Sequence, residues 1–153
     1  GMRYLNLPTK EGGYYRTGSR TPMQWNSGKN RGFSSAEPEA LYLPVDPAPD
    51  APTVEAQERD PASLLNTVKA LLRLRRAEAD LASKPNLEIL RAGPEAPFIY
   101  RRGSFVIAVN PGSRAAGAPL GVMPKARAYA LGTCALENGA CRMEGQSFGI
   151  WRV

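Results

Sequence analysis

One stretch of this chain repeats its apolar residues every three or four positions, which strongly limits how the chain can fold. The stretch is "PASLLNTVKALLRLRRAEADLAS", and such spacing is typical of an amphipathic helix. Asp60 is a favourable N-cap, Pro61 suits the first helical turn, and Pro85 forces the chain out of helical geometry. We therefore predict one long helix over residues 61–83. Its apolar stripe comprises Leu64, Val68, Leu71 and Leu72.

The segment before this helix shows neither a helical nor a strand period. Residues 1–60 contain the turn-rich runs "EGGYYRTGSRTP", "NSGKNRG" and "DPAPDAP". A long irregular segment is uncommon inside a compact domain. We therefore expect residues 1–60 to be irregular and to lie on something larger.

After the helix the period changes toward two. Five runs alternate as strands do, and Asn138-Gly139 is a strong turn signal. Several short strands with closely spaced turns predict an antiparallel β-sandwich or small barrel over residues 84–153. The predicted fold class is thus α+β, mainly β. The five runs are "NLEILRA", "PFIYRR", "SFVIAVN", "ARAYALG" and "QSFGIWRV".

The chain contains no His, which excludes Ser-His-Asp and Cys-His catalysis and His-based metal sites. Acid and base catalysis needs two carboxyl groups in contrasting environments. Glu37 and Glu39 lie in a loop, and Glu78 and Asp80 are interpreted as solvated helix residues. We therefore predict no catalytic residue, no metal site and no cofactor in this chain.

The net charge of +6 comes from scattered basic residues rather than from a basic stripe with aromatic platforms, so no nucleic-acid binding is predicted. No run is long and apolar enough for a membrane helix, and the opening "GMRYLNLPTK" lacks the apolar core of a secretory signal. We expect no membrane association and a cytoplasmic location. There the two cysteines, Cys134 and Cys141, are expected to be free thiols, although a disulfide would be possible in a secreted protein.

Three motifs follow one another in order: "GSRTPMQWNSGKNRGFSS", "LYLPVDP" and "TVEAQERDPASLLNTVKALLRLR". Together they resemble the C-terminal part of glycoside hydrolase family 13, in the α-amylase superfamily. The most similar subgroup comprises the α-glucosidases of the oligo-1,6-glucosidase and trehalose synthase type. The opening "GMRY" is similar to the stretch after one barrel strand of that family, so the resemblance covers nearly the whole chain.

The resemblance implies that the catalytic (β/α)8 barrel, with its two Asp and one Glu, lies upstream of the matched segment. Residues 1–60 then correspond to an irregular piece of the barrel and residues 61–83 to its last helix. Residues 84–153 correspond to the antiparallel C-terminal domain. In this interpretation the chain is non-catalytic and stabilises the barrel of the full enzyme. The alternatives are a stand-alone carbohydrate-binding or protein-interaction module and, with little support, a small active hydrolase.

Two residues become candidate substrate-binding residues by this resemblance. Arg20 corresponds to an Arg near the mouth of the family's pocket, where it can contact an oligosaccharide; the competing interpretation, which we favour, is an exposed loop Arg. Trp25 is able to stack on a sugar face, but we favour its role as an anchor of the loop on the barrel. Asn26 stands where the family has Asp, which makes a retained site doubtful. Gln24 is expected to be a structural hydrogen-bonding residue.

The aromatic residues of the predicted strands also allow two interpretations, a sugar-stacking platform or the core of the sheet, and we favour the core. If the barrel strands are missing, the apolar stripe of the helix is exposed. Exposed patches of this kind mark association surfaces. We therefore predict a homo-oligomer, or association with the missing barrel. The aromatic residues are Phe98, Tyr100, Phe105, Phe148 and Trp151.

Overall fold

The structure, a computed structural model, describes residues 10–11, 14–15, 21–82, 86–94 and 97–153. It divides into two compact units, residues 1–66 and 67–153. The helices are α1 (Val54–Arg59) and α2 (Leu64–Ala77). The strands are β1 (Lys10–Glu11), β2 (Tyr14–Tyr15), β3 (Leu87–Arg91), β4 (Phe98–Arg102), β5 (Phe105–Asn110), β6 (Ala116–Pro119), β7 (Ala126–Leu131), β8 (Cys134–Glu137), β9 (Ala140–Met143) and β10 (Ser147–Arg152).

The first unit contains a helix that the sequence analysis did not predict. Helix α1 begins after Thr53, whose Oγ1 accepts a hydrogen bond from the Ala56 N–H at 3.2 Å. This is the N-cap arrangement that satisfies a free donor of the first turn. Glu55 and Arg59, four residues apart, add an ion pair at 2.5 Å. Residues 1–60 are therefore not irregular throughout.

Helix α2 begins at Leu64 rather than at the predicted Pro61. Asp60 is not its N-cap: it follows the last residue of α1, and its Oδ1 accepts from the Ala62 N–H at 2.9 Å. Ser63 occupies the capping position, because its Oγ accepts from the N–H of Asn66 at 3.2 Å. The sequence offers two good capping residues in succession, and the second one starts the helix.

The helix ends at Ala77, earlier than the predicted residue 83, and a short 3-10 turn follows over residues 79–81. The two acids expected to be solvated helix residues are instead bonded to a strand and to a turn of the second unit. Glu78 accepts from Arg152 Nη2 at 2.6 Å. Asp80 Oδ2 accepts from the Ser104 N–H at 2.8 Å and from its Oγ at 2.7 Å. The prediction for Glu78 and Asp80 was wrong, because their partners are distant in sequence.

The second unit contains two antiparallel sheets. One has five strands in the order β3-β4-β5-β10-β7, and the other has three in the order β6-β9-β8. All five predicted strands form, and the expectation of antiparallel pairing is confirmed. The predicted turn is also present: Asn138 and Gly139 join β8 to β9 with φ angles of 50° and 72°. Strands β6, β8 and β9 were not predicted.

Strand alternation gives the five-stranded sheet two different faces. On β5, Val106 and Ala108 belong to an apolar cluster shared with the three-stranded sheet, whereas Phe105 and Ile107 belong to a second cluster. The second cluster is covered by partly buried residues of α2. The shared cluster contains Ile99, Val106, Ala108, Ala118, Cys134, Leu136, Cys141, Met143 and Trp151.

The aromatic residues favoured as core do pack there in most cases. Phe105 is fully buried and Trp151 is 3% exposed. Phe148 stacks on Tyr129 with ring centroids 5.9 Å apart, whereas Phe98 remains 41% exposed. The core interpretation is therefore confirmed for Phe105 and Trp151. No helix in the described part of the chain is long and apolar enough to cross a membrane.

Candidate functional site

The segment that begins with "TPMQW" folds back on itself in the first unit. The N–H groups of Trp25 and Asn26 both donate to the Arg31 carbonyl, at 2.8 and 3.1 Å. The reversal needs left-handed backbone, and Asn30, Arg31 and Gly32 have φ angles of 47°, 57° and 72°. We call residues 21–34 the Trp25 loop.

Asn26 braces this loop through its side chain. Its Oδ1 accepts from the Gly28 N–H at 2.9 Å. Its Nδ2 lies against Gly32. A Cβ added at residue 32 would be only 2.6 Å from this nitrogen, so the contact requires a glycine there. The family's Asp would also offer an acceptor to residue 28. The substitution noted in the sequence therefore keeps the brace while it removes a charge.

The side chains of two further residues, Asn30 and Arg31, also hold the loop by hydrogen bonds to backbone carbonyls. Asn30 is 8% exposed, and its Nδ2 donates to the carbonyls of Ser34 and Ala36 at 3.0 and 2.8 Å. Arg31 donates to the Ala48 carbonyl at 3.1 Å. A buried side-chain amide that donates to two backbone carbonyls favours a single conformation of the loop.

The backbone of Trp25 is held on both sides. Its carbonyl accepts from the Glu55 N–H at 2.9 Å, and the Gln24 carbonyl accepts from the Val54 N–H at the same distance. These two carbonyls satisfy free donors in the first turn of α1. The backbone of Trp25 is therefore hydrogen-bonded to Arg31 through its N–H and to α1 through its carbonyl.

Three apolar side chains of the loop remain accessible even though its backbone is fixed. Trp25 is 49% exposed, and Met23 and Phe33 are each 51% exposed. The Gln24 Oε1 is buried and has no hydrogen-bond partner within the described residues, contrary to the expectation that Gln24 is a structural hydrogen-bonding residue. The loop thus combines apolar surface with one unmet acceptor, and the latter could not be inferred from sequence.

The two predicted substrate-binding residues are placed differently. Trp25 is described, whereas Arg20 lies outside the described residues. The substrate-binding roles considered for Arg20 and Trp25 therefore stay predictions. Within the described ranges, no three His, Cys, Asp or Glu side chains are grouped as ligands of one metal ion. Glu37, considered as an acid in the sequence analysis, forms an ion pair with Lys29 at 2.8 Å.

Comparison with known proteins agrees with the motifs. The alpha-amylase catalytic-domain family matches residues 7–84. Probable oligo-1,6-glucosidase 2 of Bacillus subtilis (strain 168) is 44% identical over 87 residues, which are 57% of this chain and 15% of that protein. Trehalose synthase/amylase TreS of Mycobacterium tuberculosis is 37% identical over 108 residues, which are 65% of this chain and 18% of that protein.

Solved structures agree on the fold. Trehalulose synthase MutB from Pseudomonas mesoacidophila MX-45 superposes with a TM-score of 0.77 over 90% of this chain and 26% of its own, at 19% sequence identity. The chain belongs to the alpha-amylase family, glycoside hydrolase family 13. The resemblance identified from the motifs is thereby confirmed. The chain spans less than a fifth of the length of the curated relatives named above.

Proposed function

We propose that this chain is the C-terminal, non-catalytic part of an α-glucosidase and stabilises its catalytic barrel. The whole enzyme would cleave α-glucosidic bonds in short oligosaccharides. The proposal is supported by the similarity of this chain to a relative named as an oligo-1,6-glucosidase and to another named as a trehalose synthase. The described carboxylates also support it, because those of Glu37, Glu78 and Asp80 already bond to other side chains of the chain.

The division of the chain follows from this proposal. Residues 1–60 would be the barrel-derived segment that carries α1, residues 61–83 would contain the last barrel helix, and residues 84–153 would form the sandwich-type C-terminal domain. The apolar cluster shared by the five-stranded and three-stranded sheets is what a two-layer sandwich requires. Helix α2 would pack on the sandwich domain with one side and on the barrel with another.

One observation carries the proposal: α2 has an apolar side that the described chain leaves uncovered. Leu64, Val68 and Leu72 recur every four residues and are 70%, 45% and 48% exposed. Leu71 was predicted as part of the exposed stripe, but it packs with Leu74 against the core on the neighbouring side. We call the exposed set the α2 stripe. Fully burying one such side chain contributes about 1.5–3 kcal/mol, so an exposed stripe favours association.

The stripe can be tested in the isolated chain, where it should drive self-association. Leu72→Gln keeps a good helix former and removes apolar area, so it should shift the chain toward monomer in light scattering over a concentration series. Arg73→Gln is the matched control: Arg73 is also exposed on α2, it does not belong to the α2 stripe, and the change introduces the same residue. A monomeric wild-type chain with residues 1–59 protected from protease would contradict the proposal.

The Trp25 loop would lie at the mouth of the enzyme's pocket, with Trp25 as its anchor on the barrel and Arg20 as a possible sugar contact. Direct sugar binding by the isolated chain is tested by titrating maltose and isomaltose while following Trp fluorescence. Trp25→Phe is the control, and the buried Trp151 remains as an internal reference. A saturable change that the control abolishes would show direct sugar contact. No change would support the anchor role.

A further inference from the structure

A cavity of about 550 Å³ lies at one end of the second unit, away from α2 in sequence. Its walls come from the end of β3, the end of β5 and the loop between β5 and β6. Two arginines line it, Arg91 and Arg114, and its lining residues include neither Asp nor Glu. A cavity lined by two arginines and by no carboxylate favours an anionic occupant.

Arg91 carries an unmet donor. Its Nε is buried and has no hydrogen-bond partner in the part of the chain that the structure describes. The pairing of β3 with β4 shifts register between Ile89 and Arg91, and a bulge of this kind re-aims the side chain that follows it. An unpaired buried donor costs about 1–3 kcal/mol, and native proteins keep few of them. An acceptor brought by a ligand would remove this cost.

The loop that carries Arg114 is held in place before any ligand arrives. Asn110 is 1% exposed, and its Nδ2 donates to the carbonyls of Arg114 and Glu144 at 2.8 and 2.9 Å. Its Oδ1 accepts from the Gly112 N–H at 3.2 Å. One buried amide thus fixes the start and the end of the loop.

Two contacts from residues 145 and 146 also hold this loop. The Gln146 N–H donates to the Gly112 carbonyl at 2.7 Å. Gly145 lies so close to Ser113 that a Cβ at residue 145 would be 2.4 Å from the Ser113 carbonyl oxygen. The loop has little room to move, so the cavity wall is preorganised. Preorganisation lowers the entropic cost of binding.

We propose that this cavity binds a small oxyanion, a phosphate or carboxylate group, through Arg91 and Arg114. The planar guanidinium group donates two parallel hydrogen bonds to such groups, and charge-assisted bonds of this kind are the strong ones. The Nε of Arg91 would be one of these donors. The net charge of +6 adds a general attraction for anions.

The test is binding of inorganic phosphate to the whole chain at constant ionic strength, with chloride as the reference anion. The proton attached to Arg91 Nε is followed by ¹⁵N–¹H NMR, because a role that is only structural would not move this signal with phosphate concentration. We expect a saturable shift for wild type. Arg91→Gln and Arg114→Gln should each weaken phosphate binding at least tenfold, measured by calorimetry.

Two further variants separate a site from general charge effects. Arg73→Gln on α2 removes the same charge far from the cavity in sequence and should leave phosphate affinity unchanged. Arg91→Lys keeps the positive charge but loses the planar pair of N–H donors that a guanidinium group presents. This variant should bind phosphate more weakly than wild type, although circular dichroism should show that it folds normally. Equal loss in Arg73→Gln, or no saturable shift, would overturn the proposal.

Acetate and glucose 6-phosphate identify the source of the oxyanion. Tighter binding of phosphate than of acetate would assign a phosphate group, and the reverse would assign a carboxylate. If glucose 6-phosphate binds more tightly than inorganic phosphate, the ligand of the cavity is a phosphate group carried by a larger molecule. The outcome is independent of the proposed barrel association, because Leu72→Gln should leave phosphate affinity unchanged.

Discussion

The hydrogen bonds between Asp80 and Ser104 should be among the main interactions that hold the 3-10 turn (residues 79–81) against the β4–β5 turn. Asp80 Oδ2 accepts both the N–H and the Oγ of Ser104, at 2.8 and 2.7 Å. A hydrogen bond to a charged group contributes about 1.5–3 kcal/mol. Asp80→Ala loses both bonds and should lower the free energy of unfolding by roughly 3 kcal/mol, whereas Ser104→Ala loses one and should cost about 1.5 kcal/mol.

The assay is urea unfolding followed by far-UV circular dichroism on the two single variants and the double variant. Once Asp80 is absent, Ser104→Ala should cost almost nothing more, so the cycle should give a coupling energy of about 1.5 kcal/mol. Glu137→Ala is the control, because Glu137 is an exposed carboxylate and its loss should stay within about 0.5 kcal/mol. If the costs simply add, or if Asp80→Ala matches the control, the reasoning is refuted.

Three other changes test the second unit by urea unfolding. Gly149→Ala places a Cβ 2.2 Å from the Trp151 ring and should cost about 1–3 kcal/mol; Gly93→Ala, with open space around it, should not. Asn110→Ala removes three hydrogen bonds and should cost at least about 2 kcal/mol. Burial raises the pKa of Cys141 from 9.0 to about 11. Because its pKa is lower in the unfolded chain, the Cys141 thiol ionises there first. The free energy of unfolding should therefore fall as the pH rises from about 9 to about 11. Cys141→Ser should make this fall smaller.

Local signals in the sequence predicted much of the second unit. The alternation in "SFVIAVN" gives β5 its two faces, and Asn138-Gly139 provides the positive φ angles of the β8–β9 turn. The strands that flank this turn carried the same alternation, with Cys134 and Cys141 facing the core as free thiols. Each of these strands has only four residues, which is too short for the alternation to be distinctive. Strand β6 reads "AGAP" and lacks any β-propensity, so only its pairing with β9 reveals it.

Features that depend on distant partners could not be predicted. Helix α2 stops at Ala77, and the two acids beyond it bond to distant partners: Glu78 to Arg152 of β10, and Asp80 to Ser104 of the β4–β5 turn. Likewise, the motif located Trp25 in a loop, but its half-exposed side chain follows from backbone bonds to α1. The cavity of Arg91 and Arg114 joins residues that are 23 positions apart and belong to no motif. Sequence periodicity carries no information about such contacts.

The most direct test of the central claim is hydrolysis of p-nitrophenyl-α-glucoside by two proteins. One is this chain alone, and the other is this chain joined to the preceding part of the Bacillus subtilis relative, in place of that relative's matching segment. The account predicts no turnover by the chain alone and measurable turnover by the fusion. Turnover by the chain alone, proportional to its concentration and constant through repeated purification, would contradict the account.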